Sequence, residues 1–171
     1  DRRQRQMCIR DSMVEGRGAW PTHTLSNTIV LMGKPNGGCR PIALMPMVYR
    51  IWTKARTSQI QTWHKDKRRG PWDAAIQGSS ALRAAILTQF MDELHILKGG
   101  EVATLLWDME KFYDSLDINR LIVRARERGY PISILGLGVL MHLSPRIIKA
   151  YDHYGQPIMP FSGIIAGCTH S

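Results

Sequence analysis

Cysteine is scarce: Cys8, Cys39 and Cys168 are the three among 171 residues, too few and too scattered for a disulfide framework or a zinc spacing. The expected setting is therefore reducing and intracellular, in the nucleus or cytoplasm. Long apolar runs are missing too. None approaches the roughly 18 residues of a membrane span, and nothing resembles a signal peptide, so no membrane partner is expected. The histidines His23, His64, His95, His142 and His153 show no ligand spacing and read as surface or satisfied core residues. His170 beside Cys168 supplies only two donors, short of a metal set. Acidic residues are outnumbered, 14 against 23 Lys and Arg, for a formal net charge of +9. The first twelve residues hold four Arg and two Asp, leaving +7 on the rest, a balance that favours a polyanionic partner without naming one. No internal repeat or low-complexity tract is present, and this length with 44% hydrophobic content bounds the chain to one core.

What is present falls into short, well-punctuated segments. Met7-Cys8-Ile9-Arg10-Asp11-Ser12 matches the translation of a common transposase sequencing adapter, so residues 1–12 are set aside as a disordered scar and 13–171 carry the fold. Thr28 to Met32 and Arg40 to Leu44 are extended runs around an Asn36-Gly37-Gly38 turn, which predicts a hairpin with Lys34 and Arg40 near its tip. Val48, Ile51, Trp52, Ala55 and Ile60 mark the apolar side of a helix, with Arg50, Lys54 and Arg56 on its wetter side. Lys65, Lys67, Arg68 and Arg69, followed by Gly70-Pro71, form a basic loop. Ser79 or Ser80 caps a helix running to Leu97, which Lys98-Gly99-Gly100 ends. Asp117 caps another over Ile118 to about Arg128, closed by Gly129 and Pro131, and a further helix spans Ile132 to Leu143. Arg146 to Met159 is hairpin-like, turning near Asp152 to Gly155. The mixture predicts an α+β fold rather than a doubly wound parallel sheet.

The run Val102 to Leu106 predicts a buried strand with Asp108 at its end. An ionised Asp is costly there unless a partner or a divalent cation compensates it. The segment reads Trp107-Asp108-Met109-Glu110-Lys111-Phe112-Tyr113-Asp114. That order resembles motif A of the reverse transcriptases. Lys34 and the Arg40-Pro41-Ile42 strand resemble the family's finger motifs, Ala75-Ile76-Gln77-Gly78-Ser79-Ser80 its Gly-Ser segment, and Gly163-Ile164-Ile165-Ala166-Gly167-Cys168-Thr169-His170-Ser171 its motif B. Ala166 departs from the usual Gln. The resemblance covers roughly Asn27 to Ser171 and is nearest to the non-long-terminal-repeat retrotransposon type.

The resemblance implies a right-hand polymerase, here fingers and part of the palm, an incomplete domain. It makes Asp108 the catalytic carboxylate and, with the backbone carbonyl of Met109, a ligand of magnesium or manganese. Lys34 and Arg40 would carry the triphosphate of an incoming deoxynucleotide. Tyr113, five residues after Asp108, would lie beneath the sugar and exclude a 2′ hydroxyl, or is an ordinary core aromatic, the role that suits Phe112 beside it. Met109 and Phe112 join the substrate-binding set. Gly163 and Gly167 would let the backbone approach nucleotide and template. Asp114 reads as stiffening the turn, and Glu110 and Lys111 as a solvated pair. Lys65, Lys67, Arg68 and Arg69, flanked by Trp63 and Trp72, either track a nucleic-acid backbone or are simply solvated. The implied partners are an RNA template, a DNA primer and deoxynucleoside triphosphates. The aromatic-x-Asp-Asp of motif C is not in the sequence, so the piece by itself is expected to be inactive. Two alternatives stay open: an RNA-dependent RNA polymerase fragment, and a non-catalytic nucleic-acid-binding remnant of a decayed element.

Overall fold

A computed structural model describes residues 12–67, 70, 73–74 and 78–166. The adapter-like stretch lies outside these except for Ser12, which opens a short helix, α1, over 12–17. A 3-10 turn (Thr22–Thr24) leads into β1 (Asn27–Gly33), β2 (Cys39–Leu44), α2 (Met47–Lys67), α3 (Ala81–Leu97), α4 (Ile118–Glu127), α5 (Ile132–His142), β3 (Arg146–Ala150) and β4 (His153–Tyr154). The chain forms two compact units, one of residues up to Thr57 together with those from Lys111 onward, the other Ser58–Glu110.

The first unit holds a four-stranded mixed sheet in the order β2-β1-β3-β4. β1 and β2 are the predicted hairpin, antiparallel with Met32 opposite Arg40 and Thr28 opposite Leu44. Its turn is closed by the Lys34 N–H donating to the Gly38 carbonyl at 3.0 Å, with Gly37 and Gly38 both in the left-handed region that favours glycine. β3 and β4 are the second hairpin, turning one residue early because Tyr151 itself adopts φ 54°. The two hairpins join through a parallel pairing of β1 with β3, Asn27 opposite Arg146 and Ile29 opposite Ile148. Parallel strands need a long crossover, and α2 to α5 all intervene here.

Burial concentrates where the N-terminal segment, α2 and α5 meet. Trp20, Tyr49 and Trp52 form an aromatic cluster with ring centroids 5.4 to 5.9 Å apart, Trp20 edge-on to both others. The Trp20 indole N–H donates to the Leu137 carbonyl at 2.9 Å. Ile134, Leu137 and Met141 bury one side of α5 against this group. Of the buried apolar side chains described, Ile60 alone belongs to the second unit, so the core is the first unit's. The caps stand where the sequence calls for them: Ser80 accepts from the Arg83 N–H at 3.3 Å and Asp117 from the Arg120 N–H at 3.0 Å.

Three expectations are corrected. Residues 101–109 form no regular structure and are exposed, Leu106 at 90% and Trp107 at 84%, so Val102 to Leu106 is not a buried strand. A strand needs a sheet edge to satisfy its backbone, and no described strand pairs with this run. Lys65 and Lys67 lie in the last turn of α2 rather than in a loop, where cations complement the helix dipole; Arg68 and Arg69 fall outside the described residues. Arg56 is not on a wet face. Its Nε meets the Glu15 carboxylate, both side chains less than a third exposed, and Trp52 Nε1 donates to the same oxygen at 2.9 Å.

The Arg56 hydrogen bond holds the Glu15 carboxyl below its ordinary value of 4.5, outweighing the opposing effect of burial. A depressed carboxyl stabilises the fold fully above the ordinary value and loses that contribution as pH falls through the folded one. Glu15→Gln should therefore cost about 1–2 kcal/mol at neutral pH. Denaturant titrations should show the gap between wild type and variant closing as the solution is acidified below 4.5.

Candidate functional site

The segment after Asp108 folds as a tight turn. The N–H groups of Asp114 and Ser115 both donate to the Lys111 carbonyl, at 3.0 and 3.1 Å, and Ser115 Oγ donates to the Phe112 carbonyl at 2.9 Å. Lys111 takes φ 50°, a strained value for a residue with a Cβ. The turn is tied to the Gly163 loop by bonds that the loop donates to carbonyls of the turn and of Leu116 just beyond it. Gly163 N–H donates to the Leu116 carbonyl and Ile164 N–H to that of Tyr113, each at 2.9 Å, and Ser162 Oγ reaches the Asp114 carbonyl at 3.3 Å. Two residues further on, the Ile165 N–H donates to Nδ1 of the buried His142 at 2.9 Å. That bond requires the His142 tautomer with a free Nδ1 lone pair, so His142 is a satisfied core residue as expected.

Only glycine fits at 163. Its φ is +78°, and a Cβ would stand 2.7 Å from the Tyr113 carbonyl oxygen and 2.8 Å from Asp114 Cα. The close approach of the two segments that the sequence analysis paired as motif A and motif B is thus built into the chain.

Beneath the turn lies a cavity of about 310 Å³ against one face of the sheet. Ile29, Ala43 and Ile148 form a row across three strands of that face, and Pro41, Tyr113 and Ile164 complete its apolar wall. Tyr113 and Phe112 are edge-on neighbours, centroids 5.4 Å apart, exposed to 38% and 43%. Phe112 is therefore not a core aromatic. Side chains alternate along a strand, so Arg40 belongs to the face opposite Pro41 and Ala43. Within the Arg-Pro-Ile segment it is Pro41 that meets the cavity. Lys34 and Arg40 are exposed at the hairpin tip, as expected.

Asp108 and Met109 belong to the second unit, exposed in the irregular run that precedes the turn. Among the described residues no three of His, Cys, Asp or Glu cluster as a metal site would need. Asp108 with the Met109 carbonyl offers two ligand groups where magnesium takes about six oxygens, so the set is partial. Lys65 and Lys67 are exposed in the second unit, and Gly167, Cys168, His170 and Trp72 lie outside the described residues. Asp114 contributes to the turn through its backbone N–H and is one of the residues lining the cavity. The sequence analysis missed Arg146, which also lines the cavity. An arginine opening an apolar strand after Pro145 carries no local signal of such a position. No protein-family model and no curated protein matches the chain.

Gly163→Ala should lower stability by about 2 kcal/mol or more, combining left-handed strain with a backbone clash. Gly129→Ala, at φ 66° with nothing within 4 Å of the added Cβ, should cost about 1 kcal/mol. Urea denaturation of the two variants checks the ranking.

Proposed function

We propose that the chain is the fingers and part of the palm of an RNA-directed DNA polymerase of the non-long-terminal-repeat retrotransposon type. The whole protein would extend a DNA primer on an RNA template with deoxynucleoside triphosphates. The observation that supports this best is the backbone lacing of the Tyr113 turn to the Gly163 loop, with Gly163 obligatory at the contact. The two segments share no local sequence relation. Their resemblance to motifs A and B was read from residue type and order, and a polymerase needs those motifs adjacent.

In this reading the turn gives Tyr113 a rigid backbone seat, so its ring screens the sugar by position rather than by induced movement. Lys34 and Arg40 at the hairpin tip bind phosphate oxygens, Arg as a forked donor and Lys as a mobile charge. Asp108 is the carboxylate that holds a divalent cation, magnesium or manganese, which activates the primer hydroxyl and stabilises the leaving pyrophosphate when bound. The partial ligand set in this sequence supports no further step. Lys65, Lys67, Arg68 and Arg69 serve the nucleic-acid backbone through charge.

Primer extension tests the proposal. Residues 13–171 should add no nucleotide with magnesium or manganese, and a chain continued through an aromatic-x-Asp-Asp turn and a thumb should. In that longer chain Asp108→Asn should abolish extension. Stop codons in place of that turn, in the downstream reading frame, would favour the non-catalytic remnant. Tyr113→Ala should retain extension while raising ribonucleotide use relative to deoxynucleotide use by about tenfold or more, equivalent to about 1.4 kcal/mol of lost discrimination. An unchanged ratio would remove Tyr113 from sugar selection, and a wild-type preference for ribonucleotides would favour an RNA polymerase.

A further inference from the structure

α3 carries no buried residue. Leu82, Ile86, Phe90 and Leu97 are each more than half exposed. At 3.6 residues per turn these four share one stripe of the helix, and Arg83 and Glu93, both exposed, flank Ile86 and Phe90 on either side. The chain's own return runs along a different side. Thr104 Oγ1 donates to the Asp92 carboxylate at 3.3 Å, and Asp92 lies roughly 120–160° round the helix from Ile86, Phe90 and Leu97. An apolar helical stripe is ordinarily buried against another surface. No described residue buries this one.

The stripe is complementary to itself. Two α3 helices packed antiparallel, with a two-fold axis at the level of Thr88, set Ile86 opposite Phe90, Leu82 opposite Leu94 and Arg83 opposite Glu93, each contact being made twice. Ile86 and Phe90 meet in the centre, and the opposite charges bracket them. Parallel packing sets Arg83 against Arg83 and Glu93 against Glu93, which repels. Arg83 has no ion pair among the described residues. Glu93 accepts from the Gln89 amide of its own helix at 3.1 Å and keeps its other oxygen for a partner. A lipid surface fits less well, because helices that lie on membranes carry an excess of cations beside the apolar face, whereas α3 has one Arg against Asp92 and Glu93.

We propose that the Leu82–Ile86–Phe90–Leu97 stripe is a self-association surface that docks, antiparallel, the same stripe of a second copy of this chain. The inference goes beyond the polymerase reading and uses the second unit alone. Dimer formation and nucleotide addition can therefore succeed or fail separately.

Sedimentation equilibrium of the full chain, from about 1 to 100 μM, tests it. Wild type should form a dimer and go no further, as a closed two-fold contact requires. Phe90→Glu should be monomeric throughout, with an unchanged far-ultraviolet circular dichroism spectrum because position 90 is exposed. Arg83→Glu and Glu93→Arg should each weaken the dimer about tenfold or more. The double exchange, Arg83→Glu with Glu93→Arg, should restore it, because every charge then meets its opposite again across the two-fold axis. The two positions stand about 15 Å apart along one helix, too far to pair within a copy. If Phe90→Glu loses helix, the three charge variants decide alone. A double exchange no tighter than the single ones would remove the antiparallel register and overturn the proposal. So would a wild type that stays monomeric at 100 μM, a dimer indifferent to a folded Phe90→Glu, or association that continues past the dimer. A monomer that binds phosphatidylcholine vesicles would give the stripe to a lipid surface, and a longer chain that is monomeric where this one dimerises would give it to the chain's own continuation. Either result overturns the second copy.

Discussion

Asn27 is the constraint from which the architecture of the first unit follows. Its side chain is wholly buried, and a buried amide must place its protons, here on the carbonyl and hydroxyl that end α5. Its backbone N–H takes the Pro145 carbonyl at 2.9 Å. These three bonds set the start of β1 beside the start of β3 and hence their parallel register. Ile29 then stands beside Ile148, which makes the floor of the cavity, and Arg146, which lines the same cavity, stands beside Asn27. A one-residue slip would reverse both strand faces and lose the row.

How much of this was legible in the sequence divides by range. The β1–β2 hairpin, the Ser80 and Asp117 caps, the glycine stops at Gly99 and Gly129 and the β3–β4 hairpin were readable, because each signal and its consequence lie within a few residues. The pairing of β1 with β3 was not. It depends on Asn27 meeting residues more than a hundred positions away, and no local pattern encodes that partner. Val102 to Leu106 failed for the complementary reason: an apolar run signals a wish for burial but cannot supply the edge it would pair with. Arg56 misled because helical periodicity marks it as outward, whereas Glu15 of α1 covers that side. Of the candidate site, residue type and order located the Tyr113 turn, the Gly163 loop and the hairpin tip. Arg146 escaped because one arginine at a strand start carries no signal until its neighbours are known.

The charge of the chain takes on meaning at this level. A net charge of +9 on its own supports solubility and weak polyanion affinity. The positions matter more: Lys34 and Arg40 at an exposed hairpin tip present charge to solvent, whereas Arg146 lines the cavity beneath the Tyr113 turn. Exposed cations exchange hydration for phosphate with little net change and strong salt dependence. Arg146 is partly exposed with Nε and Nη2 sealed from solvent, so those two nitrogens take no part in such exchange.

Strain gathers at the same place. Lys111 in the left-handed region and the Gly163 contact, too close for any Cβ, are both unfavourable for a chain under no functional demand. Each is over-determined by its surroundings: Lys111 by two N–H groups converging on its carbonyl, Gly163 by its own N–H on the Leu116 carbonyl and that of Ile164 on the Tyr113 carbonyl. The product of this arrangement is a Tyr113 backbone that cannot drift relative to the sheet below it. Under the polymerase proposal a ring held this way would discriminate by fixed shape rather than by closing a lid. The same lacing sets the Tyr113 turn against the cavity, so the ring and the wall beneath it draw on one piece of backbone geometry.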